Sequence, residues 1–219
     1  MTLVAVCAVF GGVIGLRLRP VVDRMTAERS ERRPPTGRSR LVAPVTAVLF
    51  GATAWGFGWT WSLPAYLALA AFLVGLTFID VDTRTLPRPT VWAAGAIGVG
   101  LLAGASVATG EPGRILLAAV GATVAFIVLC ALHILAPGGL GFGDVRLGTV
   151  LGWYLGWQSL SLVMTGLAAA FVVGAVSGVV LMLFGRAGRR TEVPFGPALA
   201  IGAFLVLLAA PIGGSVTLF

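Results

Sequence analysis

The chain has 219 residues, of which 58% are hydrophobic and 11% charged, and its formal net charge is +7. A soluble domain of that size needs far more charge to cover its surface, so a water-exposed globular protein is excluded. Nucleic-acid binding is not expected from the positive charge either, because the arginines stand in short stretches between long apolar runs rather than in one basic stripe.

Eight apolar segments can be drawn in chain order, at approximately 2–16, 41–58, 63–79, 90–109, 114–135, 145–157, 160–184 and 196–213. Several reach the ~20 residues that a helix needs to cross a hydrocarbon core. The expected fold is therefore all-α, a polytopic transmembrane helix bundle in a lipid bilayer. The 31 glycines fit it, since small residues let helices pack closely in lipid. The run Met1 to Leu16 has neither a positive n-region nor a clear small-x-small cleavage site, and it is expected to stay as a helix. The sixth segment is short and is expected to be tilted or to begin at the interface. Between the first two segments, Arg17 to Arg40 mixes charges of both signs with Pro34 and Pro35, which predicts an irregular loop. Cys7 and Cys130 lie inside apolar runs with no CxxC spacing, as small packing residues would.

The arginines orient the bundle, for the chain has no lysine. Placing 17–40 in the cytoplasm puts 80–89, 136–144 and 185–195 on the same side. Those four stretches hold Arg17, Arg19, Arg24, Arg29, Arg32, Arg33, Arg38, Arg40, Arg84, Arg88, Arg186, Arg189 and Arg190, and Arg146 sits just inside the sixth segment on that face. Arg114 alone falls outside, which is a strong positive-inside pattern. Trp55, Trp59, Trp61, Trp153 and Trp157 fall at outer segment ends, where an interfacial aromatic belt belongs, and Trp92 at an inner end.

So apolar a chain has few acids. Asp23, Glu28 and Glu31 balance charge in the arginine-rich stretch, Glu111 lies in an outer turn, and Glu192 stands beside Arg189 and Arg190. Asp80, Asp82 and Asp144 differ: Asp80 and Asp144 adjoin apolar runs, where ionisable groups are costly and usually functional. Two spans separate Asp80 from Asp144, so both belong to one membrane face. Two carboxyl groups close together in a low-dielectric site do not both ionise readily; one keeps a proton while the other acts as a base on water. Gly141 and Gly143, flanking Phe142, suit such a site through unusual backbone angles and close approach of another chain. From the residues alone, helix-end capping by Asp80 and Asp144 stays an equal alternative. A transporter or channel component binding protons or cations at these acids is a further alternative, favoured by broken helices near the membrane midplane.

Three stretches resemble the type IV prepilin leader peptidases, membrane aspartic proteases of the GxGD class. Phe78-Ile79-Asp80-Val81-Asp82-Thr83-Arg84-Thr85-Leu86-Pro87 looks like the family's first aspartate segment, Gly141-Phe142-Gly143-Asp144-Val145-Arg146-Leu147 like its GxGD element, and Pro194-Phe195-Gly196-Pro197 like its PFGP element. The resemblance implies a single integral membrane peptidase domain over 1–219, with 17–40 as a basic cytoplasmic loop. It implies catalytic carboxylates at Asp80 and Asp144, with Gly141, Phe142 and Gly143 shaping the site and Asp82 as a neighbour. The implied activity is aspartic endopeptidase cleavage of the basic leader of prepilins or pilin-like proteins at the cytoplasmic face of the bacterial cytoplasmic membrane. Fuller relatives carry a CxxC-bearing insert after the first helix. The stretch 17–40 has no cysteine, so no metal is expected, and S-adenosylmethionine is a cofactor only if methyl transfer is retained. His133 is read as interfacial packing, since two aspartates already supply acid and base.

Overall fold

In a computed structural model, residues 1–29, 38–135, 139–183 and 195–210 are described. Among them all regular structure is helical: α1 (Thr2–Arg29), a short 3-10 turn (Arg38–Leu41), α2 (Val42–Phe57), α3 (Leu63–Thr83), α4 (Arg88–Thr109), α5 (Gly113–Leu135), α6 (Phe142–Gln158), α7 (Leu160–Leu183) and α8 (Gly196–Ala209). Six helical stretches are long and apolar enough to cross a membrane: those of α1, α2 with the turn before it, α3, α4, α5 and α7. At 17 residues, α6 is shorter, and α8 is a shorter apolar helix of 14 residues. The helices form two compact units, Met1–Glu111 and Pro112–Phe219.

One expectation is overturned at α1. The helix does not end near residue 16 but runs 28 residues to Arg29, through the stretch expected to be an irregular loop. Arginine, methionine, alanine and glutamate are good helix formers, and Arg19 sits one turn before Asp23, with 4.0 Å between Nε and Oδ2. Pro20 gives up one backbone N–H without ending the helix. Burial supplies the larger reason: Val22 packs with Val42, Val74 and Ile79, and Leu18 and Met25 close over that cluster. The rest of the expected loop, 30–37, lies outside the described residues, as do 136–138 and 184–194 with Arg186, Arg189, Arg190, Glu192 and Pro194.

Within the first unit, α1 and α2 lie antiparallel at close range. A Cβ at Gly11 would come 2.6 Å from the Phe50 ring, and one at Gly15 would come 2.5 Å from Ala43 Cα. The second unit repeats the device between α5 and α6. Gly148, Gly152 and Gly156 recur every fourth residue on one face of α6 and meet Leu129, Ala125 with Gly121, and Ala118 with Leu117. Then α7 and α8 close through Gly202 against Ala170 and through Gly174 against Phe195 and Ala198.

The aromatic belt is only partly as expected. Trp55, Trp59 and Trp61 are exposed, as a lipid-interface position requires, but Trp157 is buried. The Arg114 guanidinium lies 4.7 Å from the Trp157 ring centroid. The one arginine outside the positive-inside pattern is thus held by a cation–π contact.

Candidate active site

Asp80 lies in the last turn of α3 and is 4% exposed. Its neighbour Ile79 anchors the turn in the Val22–Val42–Val74 cluster, so the extension of α1 helps to hold the turn that carries this carboxylate. The helix then stops on an uncommon cap. Arg84 adopts a left-handed conformation, φ 53° and ψ 32°, and its N–H donates to Asp80 O at 2.7 Å. A non-glycine residue there costs about 1 kcal/mol, offset in part by the bond it gives the Asp80 carbonyl. The Thr83 hydroxyl donates to Ile79 O at 2.8 Å, reinforcing the same turn. Pro87 then initiates α4 from an extended conformation.

Asp82 faces elsewhere. Two residues on, it is about 200° further round the helix, and its Oδ1 lies 3.7 Å from Arg38 Nη1. This ion pair is partly exposed, the Arg38 side chain at 56% and Asp82 at 13%. It ties the 3-10 turn at the start of α2 to the end of α3.

Asp144 is the third residue of α6 and is 9% exposed. Its Oδ2 accepts from Gly141 N–H at 3.2 Å, while its own N–H donates to Gly141 O at 3.0 Å. This is the acidic half of a capping box, in a first turn whose N–H groups and dipole favour a carboxylate. The expected reason for glycine at 141 changes accordingly. Its backbone is ordinary, φ −72° and ψ 145°, and a Cβ there would come 3.3 Å from Asp144 Oδ2. What Gly141 gives is room for the carboxylate of its own turn. Gly143 lies within α6.

Phe142 is 40% exposed. Its ring lies 5.6 Å from that of His133 at 60°, and the Arg146 guanidinium lies 4.6 Å from its centroid. His133 Nδ1 is 2.7 Å from Leu140 O. The sequence reading assigned His133 to packing and missed this bond, because a seven-residue spacing across a turn carries no periodic signal. The Asp82–Arg38 pair joins two separate elements far apart in the chain, which local sequence pattern does not reveal. Of the PFGP element, Phe195 precedes α8 and stacks on Phe171 at 5.1 Å, and Pro197 opens the helix.

Asp80 therefore belongs to the unit Met1–Glu111, while Gly141, Phe142, Gly143 and Asp144 lie together in Pro112–Phe219. Both acids sit at helix ends, where the transporter alternative called for broken helices. Among the described residues no three His, Cys, Asp or Glu side chains gather into a metal-binding group.

The chain is similar to known proteins. Residues 67–186 match the type IV leader peptidase family. The chain is 35% identical over 189 residues to the prepilin leader peptidase/N-methyltransferase of Aeromonas hydrophila, covering 82% of this chain and 61% of that protein. The protein of the same description from Neisseria gonorrhoeae is 33% identical, with 78% and 58% covered, and that from Stutzerimonas stutzeri 33%, with 88% and 64% covered. The chain thus spans about three fifths of the length of these relatives. No solved structure matches it. A GxGD turn opening α6, an aspartate closing α3 and a match over more than half of the chain place this protein in the type IV leader peptidase family.

Proposed function

We propose that the chain, read as one peptidase domain over 1–219, is an aspartic endopeptidase that removes the basic leader from prepilins or pilin-like proteins at the cytoplasmic face of the bacterial cytoplasmic membrane. The observation that carries the reading is the pair of buried aspartates, each at a helix end and each within the residues that match the type IV leader peptidase family. Chain topology supports a shared face: α4 and α5 stand between the end of α3 and the start of α6, and each is long and apolar enough to cross the membrane. Two crossings return the chain to the side it left.

The chemistry follows from two carboxyl groups of which one is ionised and one protonated. The carboxylate takes a proton from water as the water oxygen attacks the scissile carbonyl carbon. The carboxylic acid donates to the carbonyl oxygen, forming a neutral tetrahedral diol. Collapse breaks the C–N bond, returns a proton from the diol to one carboxylate, and delivers the other carboxyl proton to the leaving amine. Atoms and charge balance with one water consumed and neither aspartate changed. Gly141, Phe142 and Gly143 shape the approach to Asp144, and the substrate's apolar helix rests in the bilayer with its leader at the surface. Neither a metal nor S-adenosylmethionine is needed for these steps.

The test is co-expression with a candidate prepilin, reading loss of the leader by mass. Wild type should cleave, while Asp80→Asn and Asp144→Asn should each abolish cleavage with membrane insertion unchanged. Full cleavage by either variant would remove that residue from the mechanism.

A further inference from the structure

We propose that His133 is a positioning residue for Asp144, acting through a single peptide plane; the proposal rests on the reading of Asp144 as catalytic. Only residues 136–141 separate the end of α5 from the start of α6, and Leu140, near the end of that connection, is buried at 8% exposure. His133 Nδ1 lies 2.7 Å from Leu140 O. A carbonyl oxygen only accepts, so Nδ1 must carry the hydrogen, and in the neutral ring Nε2 is the bare nitrogen.

The carbonyl of Leu140 and the N–H of Gly141 belong to one planar peptide unit, and in the trans form they point in opposite directions. His133 holds the oxygen side of that plane, and Asp144 Oδ2 accepts from its nitrogen side at 3.2 Å. Rotating the plane lengthens both bonds, so the imidazole on α5 fixes the donor that orients the carboxylate on α6. Donation to the carbonyl also polarises the amide and strengthens the N–H as a donor. The ring makes a second contact past Gly141, with Phe142 at 5.6 Å between centroids, and Arg146 lies 4.6 Å from the centre of the same phenyl ring. His133 therefore grips the turn on either side of the glycine.

Three substitutions separate the possible roles. The amide nitrogen of asparagine takes the place of Nδ1, that of glutamine the place of Nε2, and phenylalanine keeps only the ring. Each variant is purified with wild type and Asp144→Asn, melted in detergent, and assayed on a synthetic prepilin segment with a basic leader, a glycine and an apolar helix. His133→Phe and His133→Gln should lower kcat roughly ten- to a hundredfold, the loss expected when a reacting group is misplaced by ~1 Å, with KM little changed. His133→Asn should recover most of that loss. Equal activity of the asparagine and glutamine variants, at any level, would overturn the proposal. Better activity with glutamine would overturn it in favour of work at Nε2. If His133→Phe fails to fold, the asparagine–glutamine contrast decides alone. An active Asp144→Asn would instead sink the reading of Asp144, whatever the His133 variants do.

Discussion

Adding one methyl group at Gly152 tests whether close helix packing in the second unit is as tight as its geometry. A Cβ there would lie 2.6 Å from Gly121 O, 2.7 Å from Ala125 Cβ and 3.1 Å from Ala122 Cα. Carbon contacts settle at about 3.5–4.0 Å, so α5 and α6 must separate by roughly 1 Å at that level. Two of the three obstacles are backbone atoms, which cannot swing aside as a side chain can. Overpacking of this kind costs about 1–3 kcal/mol. For a chain of this length each kcal/mol moves the melting temperature by roughly 2–4 °C, so Gly152→Ala should melt several degrees low. Gly100 on α4 is the control, for a Cβ there meets nothing within 4 Å. There the same substitution should be neutral or raise stability by up to ~1 kcal/mol through helix propensity alone. The assay is thermal unfolding of both purified variants in one detergent, followed by leader cleavage. Gly152→Ala should also cleave more slowly, because Asp144 opens the helix being displaced. Equal melting temperatures for the two variants would refute the packing argument.

Asp82→Asn should keep substantial cleavage activity, and because its partner Arg38 is 56% exposed, the lost ion pair should cost less than ~1 kcal/mol in a thermal melt. If Asp82→Asn were inactive and Asp80→Asn active, the roles of the two residues would be exchanged. Cleavage by purified enzyme should need no added metal and survive chelator, and labelled S-adenosylmethionine should leave the new N-terminus unlabelled. Loss of cleavage in chelator would overturn the metal-free mechanism, and robust label transfer would show that the cysteine-free stretch 17–40 is no obstacle to methylation.

The membrane segments were legible because a bilayer leaves a chain few choices: every backbone polar group must be satisfied within a helix, and the run of apolar residues marks where. Ends were harder. At α1 the apolar run stops at Leu16, yet the helix continues to Arg29. Hydropathy marks where an apolar run stops, but a stretch of arginine, methionine and glutamate can continue the helix, here with Val22 buried and Leu18 and Met25 packed against the same cluster. Trp157 misled in a related way. Its place at a segment end fitted a lipid belt, but the residue beneath which it is buried, Arg114, lies more than forty positions earlier on another helix. At Gly141 the sequence suggested a rare backbone angle, whereas the backbone there is ordinary and the glycine leaves space beside Asp144.

The supports of the two aspartates have a common physical logic. Chemistry by a pair of carboxyl groups requires each to be held within about 0.5 Å of its working position, which a free loop does not do. In the first unit the end of α3 is held by its neighbours: Val22 on the C-terminal half of α1 packs with Ile79, and Arg38 pairs with Asp82. In the second unit the start of α6 is fixed by the end of α5, through His133 on the Leu140 carbonyl and through the glycine face further along the helix. Each acid thus lies where a helix end is pinned by a neighbouring helix of its own unit. Substitutions at Val22 or His133, neither of them an aspartate, should therefore act on cleavage through position, whereas the exposed faces of the same helices, such as that of Val6, Val9 and Val13 on α1, have no comparable hold on either carboxylate.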